Sequence, residues 1–124
     1  MINRDQRLRK RADFDSVRAR GKRVSDNLFV LTVAHSEAAR TRWGLAVSRR
    51  VGNAVVRNRV KRKIRENIRD MTCKTGLDVI VFARPGAADA GSESFRSSLH
   101  KLARRAGLTP ISAKSGDNFD GAKS

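Results

Sequence analysis

Asn53 to Met71, NAVVRNRVKRKIRENIRDM, constrains the fold of this chain more than any other stretch. Val56, Val60, Ile64, Ile68 and Met71 recur at helical spacing, which predicts one helix with a narrow apolar stripe. Asn53 is a good N-cap, because its side-chain oxygen can accept from an orphan amide of the first turn. Gly52 before it allows a sharp turn into the helix. Asn58, Arg62, Arg65 and Arg69 fall roughly opposite the stripe, with Lys61 on its flank. The stripe is therefore expected to lie against a sheet while the far face holds fixed cations in solvent. Glu66 and Asp70 are the only acids in the stretch, and each can pair with a neighbour at i,i+4. The rest of the positive charge is not neutralised within the helix. A charge run is often no more than a solvated face. Here its density costs self-repulsion unless an anion normally sits opposite, so a polyanion partner is expected.

The whole chain carries the same signal. Its 124 residues hold 28 lysines and arginines against 12 acids, a net charge of +16 spread along most of the length. Nucleic acid is the first candidate partner, and an anionic membrane a distant second. Residues 1–108 read as a single RNA-binding domain, large enough to bury a core without staples. Residues 109–124 are polar and patternless, and are expected to form a mobile tail. The single cysteine, Cys73, excludes an internal disulfide and a cysteine metal cluster, and suits a reducing compartment. No apolar secretion signal opens the chain, and no run approaches the roughly 20 apolar residues of a membrane span. A cytoplasmic protein is expected.

Residues 1–11 read as a basic arm anchored by Leu8. Residues 12–20 predict a short helix with Phe14 and Val17 on one face, closed by Gly21 as a C′ residue. Residues 22–35 contain a strand with Phe29, Leu31 and Val33 on one face and Val30 and Thr32 on the other. Residues 36–42 form a polar turn. Residues 43–51 read as a second strand, with Arg49 and Arg50 near its end. After the basic helix, LDVIVFARPGA (77–87) is the most apolar strand, ended by Pro85 and Gly86. Residues 92–107 predict a last helix with Ser92 as N-cap, Phe95, Leu99, Leu102, Ala103 and Ala106 buried, and Gly107 closing it.

The residues lack the chemistry of a self-sufficient nuclease. That would need clustered carboxylates for metals or a histidine pair for acid–base work. The acids complete no tight motif, and His35 and His100 stand in different elements, where structural roles suffice. There is no Walker-type phosphate loop. No helix-turn-helix spacing precedes the basic helix, because a strand does. A basic helix lying on a sheet suits RNA, whose backbone shape and single strands are the targets.

The run GLAVSRRVGNAVVRNRVKRKIRE resembles the signature of the protein subunit of bacterial ribonuclease P. In that family a strand ending in Ser and two basic residues leads into Gly-Asn-Ala-Val, then Arg-Asn-Arg, then Lys-Arg and a further Arg. Here those are Ser48, Arg49 and Arg50, then Gly52 to Val55, then Arg57, Asn58 and Arg59, then Lys61, Arg62 and Arg65. RLRKRADFDSVRARGKR, NLFVL and LDVIVFARPGA agree with the family's first helix, next strand and late strand. The resemblance covers roughly residues 4–107.

The resemblance implies an α+β fold, an α-β-β-β-α-β-α sandwich with a mixed four-stranded sheet and a left-handed βαβ crossover. It implies two partners, the catalytic RNA of ribonuclease P and precursor tRNA. The RNA would cleave the five-prime leader with magnesium held mainly by RNA phosphates, and the protein, monomeric on its own, would contribute no catalytic residue. The face toward the catalytic RNA would comprise Arg57, Asn58, Arg59, Lys61, Arg62 and Arg65, with Arg49 and Asn53. A cleft between the first helix and the sheet would take the single-stranded leader at positions Phe14, Arg18, Val30, Thr32, Arg50 and Ala83. Arg18 and Thr32 stand where the family often has aromatics, which implies weaker stacking and more reliance on charge. Two readings from other classes compete. A structural ribosomal protein shares charge and size but needs no leader cleft, and copurification with ribosomal subunits would mark it. A membrane-active basic domain fits poorly with the narrow stripe and the sheet.

Overall fold

Three helices and one four-stranded sheet make up the computed structural model, which describes residues 11–36, 41–69 and 76–108. The order is α1 (Arg11–Arg20), β1 (Lys22–Ser25), β2 (Phe29–His35), β3 (Arg42–Val47), α2 (Ala54–Arg69), β4 (Leu77–Ala83) and α3 (Ser92–Arg105). A single 3₁₀ turn, Pro85–Ala88, separates β4 from α3. The basic arm with Leu8, most of the 36–42 turn, the last residues of the basic stretch, Cys73 and the C-terminal tail lie outside the described residues. Among the described residues, no helix is long and apolar enough to cross a membrane.

The strands lie in the order β1-β2-β4-β3. β1 with β2 and β2 with β4 are antiparallel, whereas β3 runs parallel to β4. α2 makes the connection between that parallel pair. Strand alternation then sorts the sheet into two faces. Phe29, Leu31, Val33, Trp43, Val79, Val81 and Ala83 share one face and pack under α2 and α3. α2 contributes Val60, Ile64 and Ile68 to this core, and α3 contributes Phe95, Leu99, Leu102 and Ala103. Phe95 meets Phe29 edge to face at 4.9 Å, the arrangement that ring quadrupoles favour. Its ring also carries the Lys63 ammonium, 4.4 Å from the centroid, which links the two helices.

Among the described residues, the opposite face is covered by α1 at one end. Val17 of α1 is fully buried against Ala34 and Ile80, with Phe14 half-buried beside them. α1 is short and polar, so it owes its stability to this docking rather than to its own hydrogen bonds. Gly21 permits the docking. A Cβ there would meet the Val17 carbonyl oxygen at 2.5 Å and Thr32 Cγ2 at 2.6 Å. Gly21 follows the helix at the expected C′ place, its N–H donating to Val17 O at 2.7 Å, but without a positive φ; what demands glycine there is the close approach of the chain to β2.

Several boundaries differ from the sequence reading, each for a local reason. The strand expected within 22–35 is two strands, because Asp26 folds the chain between them. Its carboxylate accepts from the amides of Leu28 at 2.8 Å and Phe29 at 3.0 Å, a side-chain substitute for a backbone turn. The strand expected to run to Val51 ends at Val47, because the Val51 amide returns to the Ser48 carbonyl at 3.0 Å. α3 is capped by Gly91 rather than Ser92, which is already helical. At its other end Gly107, at φ 86°, closes the helix. Leu108 N–H donates to Ala103 O at 2.7 Å and Gly107 N–H to Arg104 O at 3.1 Å, the paired bonds of a Schellman cap.

Candidate nucleic-acid interface

α2 begins as its sequence dictates. Asn53 Oδ1 accepts the Val56 amide at 3.0 Å and its carbonyl accepts Arg57 N–H at 2.8 Å. Gly52 fits this start because a Cβ there would lie 2.8 Å from the Val56 side chain. With Val60, Ile64 and Ile68 turned inward, Asn58, Arg59, Arg62, Arg65 and Arg69 are exposed. Arg57 and Lys61 sit on the flank and are half-buried. Arg57 Nε is buried without a hydrogen-bond partner among the described residues, so the stem of this side chain is held against the protein. Arg59 reaches the Ala88 carbonyl at 3.4 Å. Among the described residues, no ion pair joins Arg57, Arg59, Lys61, Arg62 or Arg65 to an acid. The i,i+4 pair expected for Glu66 is also absent among them; an exposed pair is worth only about 0.3–0.5 kcal/mol, too little to order two long side chains. Val55, 74% exposed, stands on the same outward side as Arg59 and Arg62.

Arg49 and Arg50 are exposed in the turn between β3 and α2. Arg50 N–H is held by Ser48 Oγ at 3.3 Å. This turn leaves the sheet at the end where Val47 lies beside Ala83.

The second surface is a cleft of about 400 Å³ beside α1, lined by Arg18, Arg23, Val30, Thr32, Ile80, Phe82 and Arg84. Its floor is the part of the sheet that α1 leaves open. Val30 lies opposite Phe82, and Thr32 lies between Arg23 and Ile80. Its rim carries three guanidinium groups, one each from α1, β1 and the segment after β4. An apolar, partly aromatic floor with a cationic rim can take the flat faces of bases and the phosphates that join them.

Of the six residues expected in this cleft, Arg18, Val30 and Thr32 line it. Phe14 does not line it and is half-buried against the cluster of Val17, Ala34 and Ile80. Arg50 lies outside the lining, though at the same end of the sheet as Phe82. Ala83 is a correction: it is fully buried in the core on the opposite face. Alternation makes Phe82, not Ala83, the β4 residue that faces the cleft. Phe82, Ile80, Arg23 and Arg84 were not singled out from the sequence. The phase of β4 was the available signal, since Val79 and Val81 fix one face and leave Ile80 and Phe82 on the other.

A third cluster positions the cleft wall. Asp78, 1% exposed, accepts two 2.8 Å bonds from Arg42, Nε to Oδ1 and Nη2 to Oδ2. The Arg42 guanidinium is held above its ordinary pKa chiefly by those bonds, against the opposing effect of burial. Arg20 of α1 approaches the same carboxylate at 3.9 Å and donates to the His35 carbonyl at 2.6 Å. This network ties the end of α1 to the sheet. On the other side of the molecule, burial raises the Asp26 pKa, but bonds from Ser98 Oγ and the Leu28 and Phe29 amides outweigh it. With the Lys101 charge, they hold that carboxyl below its usual range.

The family model for Ribonuclease P matches residues 2–107. The ribonuclease P protein component of Brevibacillus brevis is 42% identical over 108 residues, covering 85% of this chain and 86% of that relative. The solved RNase P protein of Staphylococcus aureus aligns with a TM-score of 0.76 at 34% identity, over 83% of this chain and 96% of its own. That of Thermotoga maritima aligns with a TM-score of 0.72 at 30% identity, over 80% of this chain and 96% of its own. On this sequence and fold likeness, the chain belongs to the family of ribonuclease P protein components.

Proposed function

We propose that this chain is the protein subunit of a cytoplasmic ribonucleoprotein that removes the five-prime leader from precursor tRNA. The observation that carries the reading is the outward face of α2. Asn58, Arg59, Arg62 and Arg65 stand exposed on a helix fixed by its buried stripe, with no acidic partner among the described residues. On this reading that face binds the catalytic RNA, with Arg57 and Lys61 on its flank and Arg49 and Asn53 at its start. The α1 cleft takes the leader. The cleft floor ends at Phe82, and α2 starts just beyond the same end of the sheet. One rigid scaffold thus presents cations to two polyanions at neighbouring places and offsets their mutual repulsion.

The cleft gives selectivity. Only the precursor has a leader, so contacts to it favour precursor over product. Uniform binding of both would leave the enzyme occupied by product. Arg18 and Thr32 supply no aromatic ring, so Phe82 provides the stacking surface and Arg18, Arg23 and Arg84 the charge. Magnesium, on this reading, is held mainly by RNA phosphates. Among the described residues, no group of three or more His, Cys, Asp or Glu gathers to hold a metal ion, and no step is assigned to one on the protein. The protein alone is a monomer that contributes no catalytic group.

The test is reconstitution. Purified protein is added to the catalytic RNA at a magnesium concentration too low for the RNA alone. Rescue of precursor cleavage, with no cleavage by protein alone, is the expected result. Failure to rescue, or activity of the protein without RNA, contradicts the proposal.

A further inference from the structure

We propose that the single strand leaving the α1 cleft continues over the β1–β2 turn onto a second basic patch, formed by Lys101, Arg104 and Arg105 on α3. The inference rests on the leader reading above and extends it to the distal leader.

The path follows from what the turn touches. The cleft rim includes Arg23 on β1 and Arg84 after β4. The Arg84 amide donates to the Leu28 carbonyl at 2.8 Å, which seats Arg84 against residues 26–28. On the far side of that turn the Asp26 carboxylate accepts from Ser98 Oγ of α3 and is acted on by the Lys101 charge. The turn therefore has the cleft rim on one flank and α3 on the other. Lys101, Arg104 and Arg105 lie within one helical turn of each other and are all exposed. Ser98, Leu99, Leu102 and Ala103 are buried, so the three cations project away from the core. No ion pair ties Arg104 or Arg105 to an acid among the described residues.

Charge and continuity together select the occupant. β1 is an edge strand with Arg23 on the cleft face and Lys22 on the α3 face, both exposed. The edge strand that leads into the turn thus carries positive charge on both faces, which favours a polyanion along this side of the sheet. Only the part of a leader beyond the nucleotides that fill the cleft can lie over the turn and α3. Short leaders end before the patch, and longer ones reach it.

The test uses reconstituted holoenzyme and three probes: leaderless tRNA, precursor with a leader of about two nucleotides, and precursor with about twelve. The variant is Lys101→Ala/Arg104→Ala/Arg105→Ala, with the corresponding triple glutamine variant as a second reading should the alanines perturb α3. Affinity for the long-leader precursor is expected to fall about tenfold, with a salt slope shallower by about 2, the share of three single-strand contacts. Affinity for the short-leader and leaderless probes is expected to hold. An unchanged long-leader affinity overturns the inference, as does an equal loss on all three probes, which would assign the patch to the catalytic RNA. If wild type itself fails to prefer precursor over leaderless tRNA, the leader-cleft reading falls, and this inference with it.

Discussion

Gly21→Ala tests how α1 builds the cleft, because two effects of opposite sign meet at this residue. Gly21 has no positive φ, so alanine is allowed there and would gain about 0.4–1 kcal/mol by restricting the unfolded chain. Against that, the new methyl group would lie 2.5 Å from the Val17 carbonyl oxygen, 2.6 Å from Thr32 Cγ2 and 3.1 Å from the Val33 carbonyl oxygen. Two of those three atoms are backbone, one in α1 and one in β2, so no side-chain rotation removes the clash. Overpacking of this kind costs about 1–3 kcal/mol. The clash wins, with a net loss of about 1–2 kcal/mol. With a urea slope of about 1–3 kcal/mol/M, the midpoint should fall by roughly 0.5–1.5 M. α1 must also lift from β2, which moves Arg18 relative to Val30 and Thr32 and weakens preference for leader-bearing precursor. Assembly on the catalytic RNA through α2 should survive. Gly91→Ala is the comparison without a clash, since nothing lies within 4 Å of an added Cβ there; as the α3 N-cap it should lose about 0.5–1 kcal/mol, because glycine caps better than alanine, and leave the preference for leader-bearing precursor unchanged. A Gly21→Ala protein as stable as wild type, or more stable, would refute the close approach on which the cleft wall depends.

Further predictions concern the groups that hold this scaffold. Asp78→Ala leaves Arg42 without its partner beneath α1 and should cost about 2–4 kcal/mol in urea unfolding. That is somewhat under the usual 3–5 for a broken buried pair, because the Arg42 side chain is 29% exposed. Asp78→Ala/Arg42→Ala should cost less than the two single changes summed. Asn53→Ala removes the α2 cap and should lower stability by about 1 kcal/mol, read by thermal or urea melting. The Asp26 carboxyl titrates below its ordinary 3.8 in the folded protein, so the stability it contributes is present above that pH and is lost as pH falls through the folded value. Urea midpoints of Asp26→Asn should accordingly fall less steeply than those of wild type below about pH 4. An equal acid limb in both proteins would remove Asp26 from that role.

The two amphipathic helices were legible because each carries a single uninterrupted stripe at helical spacing. Val60, Ile64 and Ile68 on α2, and Phe95, Leu99, Leu102 and Ala103 on α3, leave one way to face the sheet. The order of elements followed once the strands were read as apolar runs between polar turns. What the sequence concealed depends on contacts between distant residues. That Asp26 would break a strand could be suspected from turn chemistry, but its bond to Ser98 joins positions 72 residues apart. Asp78 looked like one acid among many; only the pairing of β3 with β4 brings Arg42 beside it. The Arg-Asn-Arg face was legible as a helical face, and its half-buried flank at Arg57 was not. The cleft was legible in outline through Arg18, Val30 and Thr32. Ala83 was assigned to it by resemblance, although strand alternation turns Phe82 there instead.

The central claim is that unneutralised guanidinium groups on α2 bind folded RNA through its phosphates. Its most direct measurement is the salt dependence of affinity for the catalytic RNA, for wild type and for Arg62→Ala/Arg65→Ala. Both side chains are exposed, so folding should be unchanged while the slope of log affinity against log salt becomes shallower by about 1.4–1.8, the share of two phosphate contacts. A slope equal to that of wild type, with affinity preserved at every salt concentration, would contradict the account.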